Sequence, residues 1–165
     1  MKAIFLDIDG VLNNQSHIVK LVELLGQEQY LEILHEIQEI PFDYRSCKLL
    51  QELIEETNAE IILSSTWRIN PKGIESIEKY AGIKIKDKTP RLNDIRGKEI
   101  KKYLEEHKEI TRYVILDDDT DMLEEQKQYF IKVNPILGFT KTEYIQCRNI
   151  LNYKFERIDD NEYNG

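Results

Sequence analysis

The chain has 165 residues, 41% of them apolar and 33% charged; this is the size and balance of one domain, residues 1–165, able to bury a core unaided, and it excludes a multidomain machine. No stretch reaches 18 consecutive apolar residues, and the opening run meets Asp7 before a signal-peptide core could form, so a cytoplasmic protein is expected, with no membrane contact and no obligate protein partner. A net charge of −8 argues against long tracking along a phosphate backbone.

The charge is unevenly spread. Between residues 84 and 102 stand Lys84, Lys86, Lys88, Arg91, Arg96, Lys98, Lys101 and Lys102, against Asp87, Asp94 and Glu99, a local balance of +5, whereas residues 13–40 hold five Glu and one Lys. Cys47 and Cys147 have no metal-spaced neighbour and read as free thiols.

In chain order, Lys2–Leu6 is a short apolar run ended by Asp-Ile-Asp-Gly, the pattern of a buried strand. Ile18, Leu21, Val22 and Leu25 recur at helical spacing up to Gly26, and Tyr30, Ile33, Leu34 and Ile37 repeat it up to Pro41, which predicts two amphipathic helices. Asp43 is a candidate N-cap for a third, with Cys47, Leu50 and Ile54 on one face. Ala59–Leu63 reads as a second strand and Ser64–Arg68 as a polar loop. Pro71 and Gly82 bracket a helix. Ile83–Ile85 is a candidate minor strand, followed by a loop from Lys86 to Asp94. A helix over 96–107 leads to a strand over 113–116 that ends on Asp117-Asp118-Asp119. A strand over 130–133 follows a helical turn. Thr140 and Glu143 have capping-box spacing for a last helix to about Leu151, with a polar tail over 152–165.

Strands alternating with helices predict an α/β fold, a Rossmann-like, mostly parallel sheet covered on both faces, with ligands beyond the carboxyl ends of the strands. Three strands end there in polar clusters: Asp7/Asp9, Ser64/Ser65 and Asp117/Asp118. If both carboxylate pairs meet, the local charge reaches about −4, which calls for a counter-cation or raised pKa values. A hard, oxygen-liganded ion such as Mg²⁺ answers it. One Asp could then attack phosphorus while the other protonates the leaving group. Asp119 and Asp121 read as helix caps, with support of the site's carboxylates the alternative, and Trp67 as packing, with base stacking the alternative. His17, His35 and His107 read as surface residues.

Phe5-Leu6-Asp7-Ile8-Asp9-Gly10-Val11-Leu12 resembles the first motif of the haloacid dehalogenase (HAD) superfamily. Ile61-Ile62-Leu63-Ser64 resembles its second motif, Arg96-Gly97-Lys98-Glu99-Ile100 the helix of its third, and Val114-Ile115-Leu116-Asp117-Asp118 the paired-Asp form of its fourth. With Leu-Ser-Ser-Thr-Trp-Arg and Gly138-Phe139-Thr140, the set is similar to the small HAD domains of Swiss-army-knife RNA repair proteins. The resemblance implies a phosphatase in which Asp7 is the nucleophile, Asp9 the general acid and then base, Ser64 a phosphoryl hydrogen-bond donor and Arg96 the neutralising cation. It places Mg²⁺ on Asp7, the Asp9 carbonyl, Asp117 and Asp118. Ser65 is the alternative to Ser64 and Lys98 to Arg96, both as substrate-binding groups. Arg68 is either a clamp for a second phosphate or a surface ion-pair partner. Residues 13–42 stand where HAD proteins insert a cap, and a small helical cap is expected there; packing on the sheet is the alternative.

The expectation is an Mg²⁺-dependent phosphomonoester hydrolase forming a phospho-aspartyl intermediate. Its substrate would be a phosphorylated small molecule or nucleic-acid end, with a nucleotide or terminal phosphate favoured. A sugar-phosphate phosphatase and a non-catalytic interaction protein are the alternatives.

Overall fold

A computed structural model describes residues 1–36 and 42–153. Five strands, β1 (Lys2–Leu6), β2 (Ala59–Leu63), β3 (Ile85–Lys88), β4 (Arg112–Asp117) and β5 (Phe130–Lys132), form one parallel sheet in the order β3-β2-β1-β4-β5. β1 is central, and Ala3 to Leu6 are fully buried because both faces are covered, which explains an apolar run without alternation. Ile4 and Leu6 join the core with α3 (Tyr44–Thr57), α4 (Pro71–Ala81) and α6 (Lys141–Asn152). Ala3 and Phe5 turn to the other face, beneath Ile100 and Tyr103 of α5 (Arg96–Glu106).

Local chemistry sets the helix ends. The Asp43 carboxylate accepts from Arg45 N at 2.9 Å and Asn70 from Lys72 N at 3.0 Å, with Pro71 opening the helix. Thr140 N donates to Glu143 Oε2 at 2.9 Å in the expected capping box. One boundary departs from expectation: the minor strand is Ile85–Lys88 rather than 83–85, so the loop expected from Lys86 begins later. β3 is an edge strand whose Lys86, Asp87 and Lys88 are exposed. Backbone pairing with β2 holds it without an apolar pattern, and charged residues suit an exposed edge.

Two further helices, α1 (Gln15–Leu25) and α2 (Gln27–Glu36), follow the β1 loop. α1 buries none of its residues, and Leu24 is 81% exposed, so α1 does not pack into the sheet as the core helices do, whereas α2 buries Tyr30. The expected second helix extends to Ile37, which lies outside the described residues, as does the expected tail beyond Tyr153. The hairpin's feet are joined. Asn14 Nδ2 donates to Asp43 Oδ2 and Asp43 N to Leu12 O, each at 2.7 Å. Among the described residues no helix is long and apolar enough to cross a membrane.

The register fixes the edge that matters. Leu6 pairs with both Leu63 and Leu116, and the ladder continues one step: Asp7 N donates to Leu116 O, Ser64 N to Leu6 O and Thr89 N to Leu63 O. Asp117, Asp7, Ser64 and Thr89 therefore stand in one row across the carboxyl end of the sheet.

Candidate active site

In that row Asp7 and Asp117 are 6% and 2% exposed, and Asp118 joins them from the next position of its loop. One carboxylate oxygen from each of the three lies within 4.8 Å of the others. Gly10 makes room for this: it sits at φ +75°, and a Cβ there would lie 2.7 Å from Asp118 Oδ2. Burial, reinforced for each by neighbouring carboxylates, raises both pKa values against the lowering pull of Arg96, taking Asp7 up to about 6 and Asp117 up to about 7. Asp118 is also raised, chiefly by burial.

Asp9 is exposed and leaves the row. Its carboxylate accepts from Asn13 Nδ2 at 2.7 Å and from Trp67 Nε1 at 3.1 Å. Trp67 meanwhile packs its ring on Phe42, centroids 5.6 Å apart, so the packing expected of it coexists with a polar contact to the site. Asn13, whose Oδ1 also accepts from Gly10 N at 3.0 Å, was not singled out by the sequence; a short polar residue four positions after Asp9 is its only signal.

The cation in the site is Arg96. Its Nη2 stands 3.8 Å from Asp7 Oδ1 and its Nε 3.8 Å from Asp117 Oδ2. Lys98 is half-exposed and bonds Asp94 at 2.8 Å. Residues two apart on a helix point about 200° apart, so the two alternatives could not both face the row. Ser64 and Ser65 are both fully buried. The Ser65 hydroxyl interacts with the Asp7 carboxylate and lowers its pKa. Ser64 Oγ, which belongs to the row, has no hydrogen-bond partner among the described residues.

Arg68 is placed otherwise than either reading of it. It is 6% exposed and its guanidinium is committed to the protein: Nη2 to Glu99 Oε2 at 2.5 Å, Nη1 to Ser64 O at 2.6 Å and to Ser65 O at 2.8 Å. A buried guanidinium needs a counter-charge and acceptors, and Glu99, itself 4% exposed, supplies the charge. Asp121 does cap a helix, although not one it begins. Its Oδ2 accepts from Arg96 N at 2.8 Å and its carbonyl from Gly97 N at 3.1 Å, at the start of α5. Asp119 accepts from its neighbour Thr120 N at 2.7 Å.

This docking explains Gly97. A Cβ there would stand 2.6 Å from Leu123 N and 2.7 Å from Gln126 Oε1, and Gln126 Nε2 donates back to Gly97 O at 2.8 Å. Gly97→Ala is expected to lower stability by about 1–3 kcal/mol through overpacking, read as a lower urea midpoint.

Buried polar atoms in folded proteins are nearly always paired. At this end of the sheet Ser64 Oγ, Thr89 Oγ1, Arg96 Nη1 and Asp117 Oδ2 have no hydrogen-bond partner among the described residues. The carboxylate set, oxygen-only and with an orphaned Asp117 oxygen, fits a hard divalent cation such as Mg²⁺, held by Asp7, Asp117 and Asp118. The neighbouring hydroxyls and guanidinium are donors suited to an oxyanion. Residues 3–144 match a family model described as the HAD domain in Swiss Army Knife RNA repair proteins. No curated protein and no solved structure matches the chain.

Proposed function

The chain belongs to the family of HAD domains in Swiss Army Knife RNA repair proteins, a family of HAD-type hydrolases, and from that premise we propose that it is an Mg²⁺-dependent phosphomonoesterase working through Asp7. The observation that carries the reading is the carboxylate trio of Asp7, Asp117 and Asp118 with a single guanidinium, Arg96, 3.8 Å from two of its members. A bound Mg²⁺ would keep these carboxylates ionised and offset charge on the phosphoryl oxygens. An Asp7 oxygen attacks phosphorus while the ester P–O bond breaks, and Asp9, held by Asn13 and Trp67, gives its proton to the departing alkoxide. Arg96 and the Ser64 hydroxyl, which has no partner among the described residues, hold the phosphoryl oxygens, while the Ser65 hydroxyl orients the Asp7 carboxylate. Asp9, now a carboxylate, takes a proton from water as that water attacks the phospho-Asp7 phosphorus, which restores Asp7 and releases inorganic phosphate.

The substrate we propose is a nucleotide or a nucleic-acid terminal phosphate, and the support is where the free positive charge lies. Lys98, Lys101 and Lys102 are neutralised by Asp94, Glu125 and Glu106, and Lys88 Nζ donates to Arg68 O at 3.2 Å. Lys84, Lys86 and Arg91 are exposed and have no ion pair among the described residues. Lys84 immediately precedes the edge strand β3 and Lys86 lies within it, so both stand at the exposed edge of the sheet, where a polyanion can be met without an intervening strand. The test is a panel of 3′- and 5′-phosphorylated oligonucleotides, nucleoside monophosphates, sugar phosphates and an aryl phosphate, each with and without Mg²⁺. Turnover of a 3′-phosphorylated oligonucleotide is expected to fall steeply with added salt. Lys84→Gln/Lys86→Gln should reduce that log–log slope by roughly 1–1.5 and leave aryl-phosphate turnover unchanged. Efficient hydrolysis of a sugar phosphate, with none of an oligonucleotide at low salt, would overturn the substrate assignment.

A further inference from the structure

We propose that Arg68 and Glu99 are positioning residues for the reaction: a buried ion pair that fixes the Ser64-Ser65 turn against the helix carrying Arg96. The proposal rests on the phosphatase reading above for its kinetic consequences, but its geometry stands on its own. Arg68 follows β2 and Glu99 lies in the first turn of α5, 31 residues later in sequence. They meet at 2.5 Å with both side chains 6% exposed. Each has a second task. Arg68 Nη1 donates to both Ser64 O and Ser65 O, and Glu99 Oε1 accepts from Leu92 N at 2.9 Å, in the connection leading into α5. Three segments are thereby fastened at one point: the turn presenting the two serine hydroxyls, the β3–α5 connection, and α5 itself, three residues beyond Arg96.

The planar fork of arginine is what permits this, since one side chain serves two carbonyls and a carboxylate at fixed angles. A lysine has a single nitrogen for the same tasks. Replacing a buried pair by apolar side chains of similar length can leave stability nearly unchanged, whereas removing one partner strands the other's charge. Stability and positioning can therefore be separated. In Arg68→Met/Glu99→Met the apolar replacements fill the volume, but the Ser64 carbonyl loses its guanidinium donor, the Ser65 carbonyl keeps only the backbone N–H of residue 68, and α5 loses its tie to the turn. A misplacement of the oxyanion donors by a fraction of an ångström should weaken oxyanion binding and in-line attack together.

The experiment measures inorganic phosphate binding by calorimetry in the presence of Mg²⁺, together with aryl-phosphate kinetics and melting temperature. It compares wild type, Arg68→Met/Glu99→Met, Arg68→Lys and Glu99→Gln, with Asp7→Asn as the control for the phosphatase reading. The expected result is phosphate affinity weakened about tenfold and kcat/KM lowered about 30-fold in the double variant, with smaller losses of both in Arg68→Lys and Glu99→Gln. An unfolded fraction lowers apparent kcat but not the dissociation constant of the remaining sites, so the binding loss separates positioning from mere structural support. If the double variant does not fold, Glu99→Gln decides the matter. Phosphate affinity and KM within twofold of wild type in the folded variant chosen would overturn the proposal. Turnover retained in Asp7→Asn would instead overturn the phosphatase reading, and the binding comparison would still test the pair.

Discussion

Asp7→Asn is expected to lower phosphomonoester turnover by at least about 10³-fold, because an amide supplies no anionic oxygen to attack phosphorus. The variant should fold at least as well as the wild type. Asp7 is 6% exposed in a site where Asp117 and Asp118 approach within 4.8 Å, so removing one charge relieves repulsion and a desolvation penalty. Asp9→Asn tests a different step. It should suppress turnover of substrates with poor leaving groups far more than of an activated aryl phosphate, since its first task is to donate a proton to the leaving oxygen. Wild-type turnover in Asp7→Asn would remove the nucleophile from the scheme.

The second large effect is in stability against pH. Asp7 is pushed up to about 6 and Asp117 up to about 7, from ordinary values near 3.8. Between about pH 4 and pH 7 the metal-free folded state thus binds more protons than the unfolded state, so this pair makes stability fall as pH rises and level off above about pH 7. The size is several kcal/mol, the two sites being coupled. Asp117→Asn removes one member, so in EDTA its melting temperature should gain on the wild type as pH is raised from 4.5 to 7.5. Saturating Mg²⁺ reverses the order at pH 7.5, because a cation that binds only the folded carboxylates stabilises the wild type by linkage and the variant much less. A wild-type-minus-variant difference of the same sign with and without Mg²⁺ would dismiss the cation site.

The strands at the middle of the sheet were legible because burial on both faces leaves an unbroken apolar run, and the helices because their caps are local: Asp43, Asn70-Pro71 and the Thr140–Glu143 pair act within a turn. β3 was displaced by two residues because an edge strand held by its backbone needs no apolar signature. Among site residues, the carboxylates could be named from their places after strands. The alternatives at Ser64/Ser65 and Arg96/Lys98 stayed open because they depend on how a turn closes and how a helix is rotated, neither of which is written in spacing. Arg68 was unreadable for a simpler reason. Its role is set by Glu99, 31 residues away, and nothing in either residue's neighbourhood announces the other. Asn13 and Trp67 converge on Asp9 from two different segments, and only the fold brings them together.

The joined feet of the α1–α2 hairpin have a bearing on how this domain can change. Asn14 and Asp43 are bonded to each other, and Asp43 is bonded to Leu12, so the chain is already closed at the base of the hairpin. The length and sequence of what lies between then carry only a slowly growing entropic cost. The row of Asp117, Asp7, Ser64 and Thr89 is set by strand register, which owes nothing to that excursion. A chain in which a short Gly-Ser link joins Asn14 to Phe42 is expected to keep a cooperative melting transition, followed by circular dichroism, and loss of that transition would show the dependence to be real. The catalytic row is thus built by stretches of chain other than the α1–α2 excursion, and sequence change within that excursion is expected to leave the row in place.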